Sequence, residues 1–306
     1  MDLKKPLTFS EQIDRLKLHG IIINDEKTAE IILSSVNYYR LSGYLLQFRK
    51  STKDSDLKIN VSFELIYNIY RFDEELRALL RIYLEKVELN FRTQISYYFS
   101  LAKCVIPPHD QHYNRNNYFD KIGYDEVINS FKKQKKFYKD SPVLKHHQIT
   151  YQNKMPLWVI VEFLSFSNLS KLYNSMYYSE KEVIAKSSGT GYKTLENHLH
   201  CLTVLRNKCA HAARLYNTSF NPPTRLPSNF LKNNPNVKND TLFAYILILL
   251  KRLPSKEEKK ELIDKLDTLI NQYKNNIDLS LIGFPTNYIT ILNNEVKQKS
   301  LQIQFE

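Results

Sequence analysis

Glycine is scarce in this chain, with 6 in 306 residues. That disfavours folds built on many tight hairpins or on Gly-rich phosphate loops, whose backbones need residues free to take positive φ. Cysteine is nearly missing as well. Cys104, Cys201 and Cys209 form no C-x-x-C pair and are odd in number, which argues against a disulfide framework and fits a reducing compartment. Residues 1–10 lack the apolar core of a signal peptide. The longest apolar run, residues 242–250, stops at Lys251 and is too short to cross a bilayer, so it reads as a buried helix. Walker, G-x-G-x-x-G and H-E-x-x-H patterns do not occur. The expectation is a cytoplasmic protein with no membrane association.

Tyrosine and phenylalanine are plentiful, at 21 and 16. Lys plus Arg is 44 against 32 acidic residues, a formal charge of +12, which favours a polyanionic partner without naming one. At 42% hydrophobic and 25% charged the chain has an ordinary globular composition.

Helix signals dominate. Thr8 to Glu11 reads as a capping box, with Ile13 and Leu16 following at helical spacing and Gly20 as a stop. A second helix from about Asn24 to Gly43 would put Ala29, Ile32, Val36 and Tyr39 on one side and complete a helical hairpin over 1–50. Residues 50–61 read as a linker. Ser62 then opens a run to Lys103 with no Gly or Pro. Apolar residues recur there at steps of three and four, as in one long amphipathic helix or two in series restarting at Asp73. Pro107-Pro108 breaks the run. Residues 105–154 read as a surface excursion, partly helical over 124–138. Further helices are expected after Pro156, over 167–176 and 179–186, from a Thr194 cap, and over 241–253 and 255–273. The expected fold is an all-α bundle, with a core over 62–217 and a C-terminal helical extension over 228–306.

The pattern that could carry chemistry is Arg206-Asn207-Lys208-Cys209-Ala210-His211, an R-x4-H arrangement. A guanidinium offers a fixed charge and a fork of donors suited to phosphate oxygens, and an imidazole exchanges protons near neutral pH. Together they could cleave RNA without metal. The histidine would take the 2′-hydroxyl proton, the 2′-oxygen would attack the adjacent phosphate, and the arginine would stabilise the developing charge. The products would be a 2′,3′-cyclic phosphate and a 5′-hydroxyl. A bare R-x4-H also arises readily by chance, as a solvated helix face. Five residues turn an ideal helix by about 140°, so Arg206 and His211 would not share a face, whereas Asn207 and His211 would. Convergence needs a bent helix or a second copy of the motif, hence a symmetric dimer.

Several ordered blocks carry more information than this pattern. Asn37-Tyr38-Tyr39-Arg40-Leu41-Ser42-Gly43-Tyr44 resembles the N-terminal signature of the bacterial abortive-infection AbiD/AbiF family. So do Tyr70-Arg71-Phe72-Asp73-Glu74-Glu75-Leu76-Arg77, Met155-Pro156-Leu157-Trp158 and the block from Leu164 to Tyr173. The Arg206–His211 hexad, followed by Arg214-Leu215-Tyr216-Asn217, is similar to the family's R-N-x-C-A-H block. The likeness spans about residues 5–220 and continues weakly to Gly283-Phe284-Pro285. It implies a HEPN-type helical domain of the kind found in metal-independent ribonucleases of phage defence and toxin–antitoxin systems; the type VI CRISPR effectors are similar in using paired HEPN motifs. It also implies Arg206, His211 and Asn207 as the catalytic set at a homodimer interface, no metal or other cofactor, and a small non-coding RNA as a partner. The alternatives are a non-catalytic RNA-binding protein of a defence or toxin–antitoxin ribonucleoprotein, and a subunit that acts on another defence protein.

Other features have two readings each. Lys132, Lys133, Lys135 and Lys136 with Tyr138 make a basic cluster interleaved with aromatics, suited to phosphates and unpaired bases or to a solvated helix face over core aromatics. Tyr39 and Arg40 could contact RNA or could pack a helix end. His198, His200, Cys201, Cys209 and His211 hold soft ligands but match no zinc spacing, and the cysteines read as core. Glu85 and Glu88 could do acid–base work as a pair, but an i,i+4 ion pair of Glu88 with Arg92 is the simpler account.

Overall fold

The computed structural model describes residues 3, 5–50 and 57–297. Over them the chain is all-α, as expected, with one two-residue parallel strand pair. Helices α1 (Phe9–Leu18) and α2 (Glu26–Ser35) pack as a hairpin. The Thr8 capping box is present, and Gly20 leaves α1 at a φ of 86°. The second helix is shorter than its pattern predicts. Val36 is extended, and the Asn37 side chain accepts from Tyr39 N–H at 2.8 Å, capping a separate helix α3 (Tyr38–Ser42). The cap turns Tyr39 outward, to 84% exposure, instead of leaving it on the face of Ala29. Strand β1 (Ile21–Ile22) pairs with β2 (Val61–Ser62) and ties the hairpin to the next helix. Most of the expected linker, residues 51–56, lies outside the described residues.

Helix α4 (Phe63–Lys103) is one helix of 41 residues, opened by the Ser62 hydroxyl accepting from Leu65 N–H. At 1.5 Å per residue it is about 60 Å long. Its buried positions keep the three-four rhythm from Phe63 to Phe99. Asp73 does not restart a helix. It lies on that apolar side, fully buried.

Helices α5 (Lys121–Phe137) and α6 (Pro142–Thr150) fill the stretch expected to run over the surface. It is more integrated than its composition implies. Tyr118 is fully buried, stacked between Phe99 of α4 and Tyr124. The next helices are α7 (Leu157–Ile160), α8 (Phe166–Ser175), α9 (Tyr178–Ser187) and α10 (Tyr192–Ala210), the last capped by Gly191 rather than Thr194. After α11 (Ser228–Asn233) comes α12 (Leu242–Arg252), whose apolar residues 242–250 are buried on every side by α4, α10 and α14 (Tyr288–Lys297). Helix α13 (Lys256–Tyr273) lies along α4. Gly283 has a φ of 78°, and a Cβ there would meet Thr241 at 2.3 Å, which accounts for a glycine at that point.

The buried tyrosines mostly hold loops. Tyr118, Tyr173, Tyr216 and Tyr245 donate to the carbonyls of His112, Lys181, Asp278 and Pro222. Each ring adds apolar area while its hydroxyl finds a carbonyl partner, in a loop for Asp278 and Pro222 and in the first turn of a helix for Lys181. No helix among the described residues is long and apolar enough to cross a membrane.

Candidate functional site

Helix α10 ends at Ala210. His211 caps it, its N–H donating to Asn207 O at 3.0 Å. Ala212 then takes a φ of 51°, and Ala213 N–H reaches back to Lys208 O at 2.8 Å. This is the Schellman closure, where glycine is usual. A residue with a Cβ costs about 1 kcal/mol more in the left-handed region. The His211 side chain is exposed beyond the helix end, while Arg206 and Asn207 are partly exposed.

Arg206 opens onto a cleft of about 490 Å³ between α4 and α10, walled also by Arg81, Ile82, Glu88, Leu89 and Arg92. Its Nε lies 3.6 Å from Glu88 Oε2. Glu88 also pairs with Arg92 at 2.8 Å, the i,i+4 bridge expected, and Arg92 reaches on to the carbonyls of Val161 and Leu164. Arg206 is therefore held by a braced carboxylate. Within one chain Arg206 lines the cleft, and His211, the helix cap, is exposed and outside its wall.

The turn carrying His211 is fixed from below by a residue that sequence reasoning missed. Asp73 accepts from Tyr44 Oη at 2.6 Å, from the N–H groups of Leu215 at 3.1 Å and Tyr216 at 2.9 Å, and from the Arg77 guanidinium. Arg77 also touches the carbonyl of Ala213 at 3.4 Å. Burial pushes the Asp73 carboxyl up, while Arg77 and the three hydrogen bonds from Tyr44, Leu215 and Tyr216 oppose that shift. Tyr44 is pushed up by its own burial and by Asp73. The N-terminal block closes over the same turn. Arg40 donates to Ala212 O, Arg214 donates to Gly43 O, and the Arg214 guanidinium sits 6.0 Å above the Tyr44 ring. Three sequence blocks far apart in the chain thus meet on one buried carboxylate. The signal was available: an Asp on the apolar side of α4, four residues before an Arg.

Arg40 reaches the carbonyl of Ala212, the residue after His211, and its neighbour Tyr39 is exposed. On α5, Phe131 is buried while Lys132, Lys133 and Lys136 point to solvent. Lys135 is turned aside to Asn153 Oδ1 at 3.1 Å. Phe137 and Tyr138 are both exposed, edge to face at 5.0 Å. This cluster lies across α8 from α10 and is separate from the cleft. Cys201 and Cys209 are buried in α10, and burial pushes their thiols up, to about 11 and about 12. Among the described residues no group of three or more His, Cys, Asp or Glu is arranged to hold a metal ion.

A family model described as Abi-like protein matches residues 31–217, which contain every member of the Asp73 network and the whole Arg206–His211 block. No curated protein and no solved structure matches the chain.

Proposed function

Because the chain belongs to the Abi-like protein family, we propose that it acts in abortive-infection defence against phage, as a HEPN-type, metal-independent endoribonuclease. The observation that carries this reading is the convergence of three blocks on the turn presenting His211. A buried charge network and a left-handed alanine are costly ways to end a helix, and they fix the histidine that the chemistry needs. His211 removes the 2′-hydroxyl proton, Arg206 stabilises the charge on the phosphoryl oxygens, and Asn207 orients the imidazole from one turn back. RNA supplies the nucleophile, so DNA is not cut. His211 is outside the wall of the cleft that Arg206 lines, and on this reading the working site takes the arginine of one chain and the histidine of another, in a homodimer. A bound small RNA restrains or guides the enzyme.

The experiment uses labelled RNA in EDTA with the wild type, Arg206→Ala and His211→Ala. The wild type should yield cyclic-phosphate ends, each variant should be inactive, and mixing the two variants should restore cleavage. Equal activity in all three, or activity only with added metal, would sink the mechanism.

A second reading has its own support. The exposed Lys132, Lys133 and Lys136 beside Phe137 and Tyr138 suit a non-catalytic RNA-binding protein. Full phage protection by His211→Ala, together with one discrete copurifying RNA, would favour it.

A further inference from the structure

A second concave site lies around the other end of α10. It is a pocket of about 360 Å³ where α4, the 187–191 loop, α10, the end of α12 and the start of α13 meet. Its walls carry five cationic side chains, Arg225, Lys251, Arg252, Lys256 and Lys259. Among the described residues lining it, Glu295 is the one carboxylate, and it is already paired with Lys251. The N-terminus of the 18-residue helix α13 borders the same space and brings its dipole, which Glu257 and Glu258 of its first turn partly offset.

Two buried side chains in the wall have polar atoms with no protein partner. Arg252 is 8% exposed. Its Nη1 donates to Ser188 O at 2.8 Å, and its Nε donates to nothing. His198 is 2% exposed. Its Nε2 is 2.9 Å from Arg225 O, so Nε2 carries the proton and the unpartnered Nδ1 is an acceptor. Buried polar atoms are normally satisfied, and these two unpartnered atoms belong to side chains that line one pocket. Burial pulls Arg252 down to about 10 against the opposing pull of Glu295, and burial, with Arg252 beside it, lowers Lys259.

The requirements on an occupant are specific. It must bring negative charge for the cations and the helix end, accept from Arg252 Nε, and donate to His198 Nδ1. Phosphate oxygens meet the first two conditions and a hydroxyl meets the third. We propose that this pocket is a binding site for a small phosphorylated molecule that also carries a hydroxyl group, of the ribonucleotide or sugar-phosphate class. Its size suits a single small ligand rather than a polymer. The proposal is independent of the ribonuclease reading, because it uses neither Arg206 nor His211.

The test is isothermal titration of the full chain with ATP, ADP, ribose 5-phosphate and inorganic phosphate, at matched ionic strength. One site per chain is expected, with ribose 5-phosphate and the nucleotides binding more tightly than inorganic phosphate. Lys256→Gln with Lys259→Gln, both at least partly exposed and neutral to the core, should weaken binding tenfold or more. His198→Leu should remove the preference for hydroxyl-bearing ligands, provided it melts as a folded protein. Saturable binding of none of the four, equal affinity in the double lysine variant, or displacement by a short RNA but not by ADP would each overturn the assignment.

Discussion

Replacing Asp73 with asparagine should loosen the turn that presents His211. Asp73 is fully buried and Arg77 is 4% exposed, so neither has water to fall back on. The amide keeps one acceptor oxygen and substitutes a donor for the other. Four donors now converge on two oxygens, from Tyr44, Arg77, Leu215 and Tyr216. With one oxygen left, one or two of them lose their partner, at about 1–3 kcal/mol each. Breaking a buried ion pair from one side costs about 3–5 kcal/mol by a separate route, so the two estimates agree near 3–5 kcal/mol. Denaturant unfolding should show that loss. Hydrogen exchange should show where it falls, with the amides of Leu215 and Tyr216 exchanging far faster and those of α12 changing only with global stability. Asp73→Asn combined with Arg77→Met should recover part of the loss, because the stranded cation is gone. A single variant within about 0.5 kcal/mol of the wild type, or unchanged exchange at the two amides, would refute the reasoning.

Stability should drain away in mild acid through His198. Burial, with Arg252 nearby, depresses its pKa from 6.5 to about 3, so below pH 6.5 the unfolded chain takes up a proton that the folded chain refuses. At pH 5 that difference is about 2 kcal/mol, and the loss between pH 7 and pH 5 should shrink in His198→Gln. His112, also lowered by burial, acts in the same direction. Changing Lys132, Lys133 and Lys136 together to glutamine should weaken RNA binding and flatten its salt dependence by about two units of slope. Unaltered salt dependence would remove α5 from the RNA surface. Ala212→Gly should stabilise the protein by about 0.5–1 kcal/mol in thermal or chemical melts, since φ at that position is 51°. No gain would mean that the turn carries no strain.

The helices were legible because their signals are local. The Thr8 box, the Ser62 start of α4 and the unbroken apolar rhythm to Lys103 are all set by neighbours in sequence. The second helix misled because Val36 and Tyr39 continue an apolar spacing that Asn37 interrupts by capping. Tyr118 shows the opposite failure. Polar neighbours hid a residue whose partners, Phe99 and Tyr124, are contributed by two different helices. The candidate site divides in the same way. Arg206, Asn207 and His211 form a compact motif, and Glu88–Arg92 is an i,i+4 pair. The convergence of Tyr44, Asp73 and Leu215 spans more than a hundred residues and has no local signature. The basic pocket is harder still, since Arg225, Arg252 and Lys259 come from separate segments.

The three buried cysteines give the molecule a set of internal clocks. Cys104, Cys201 and Cys209 are all reduced and shielded, and burial raises each thiol. In the native state they are therefore inert to alkylating reagents. Each would react only when its own neighbourhood opens. Cys104 reports on the far end of α4, Cys201 on the middle of α10, and Cys209 on the last turn before His211. Pulse alkylation read by mass spectrometry would thus time three separate openings in one unmodified chain. It would show whether the turn bearing His211 breathes on its own or only when the whole fold lets go.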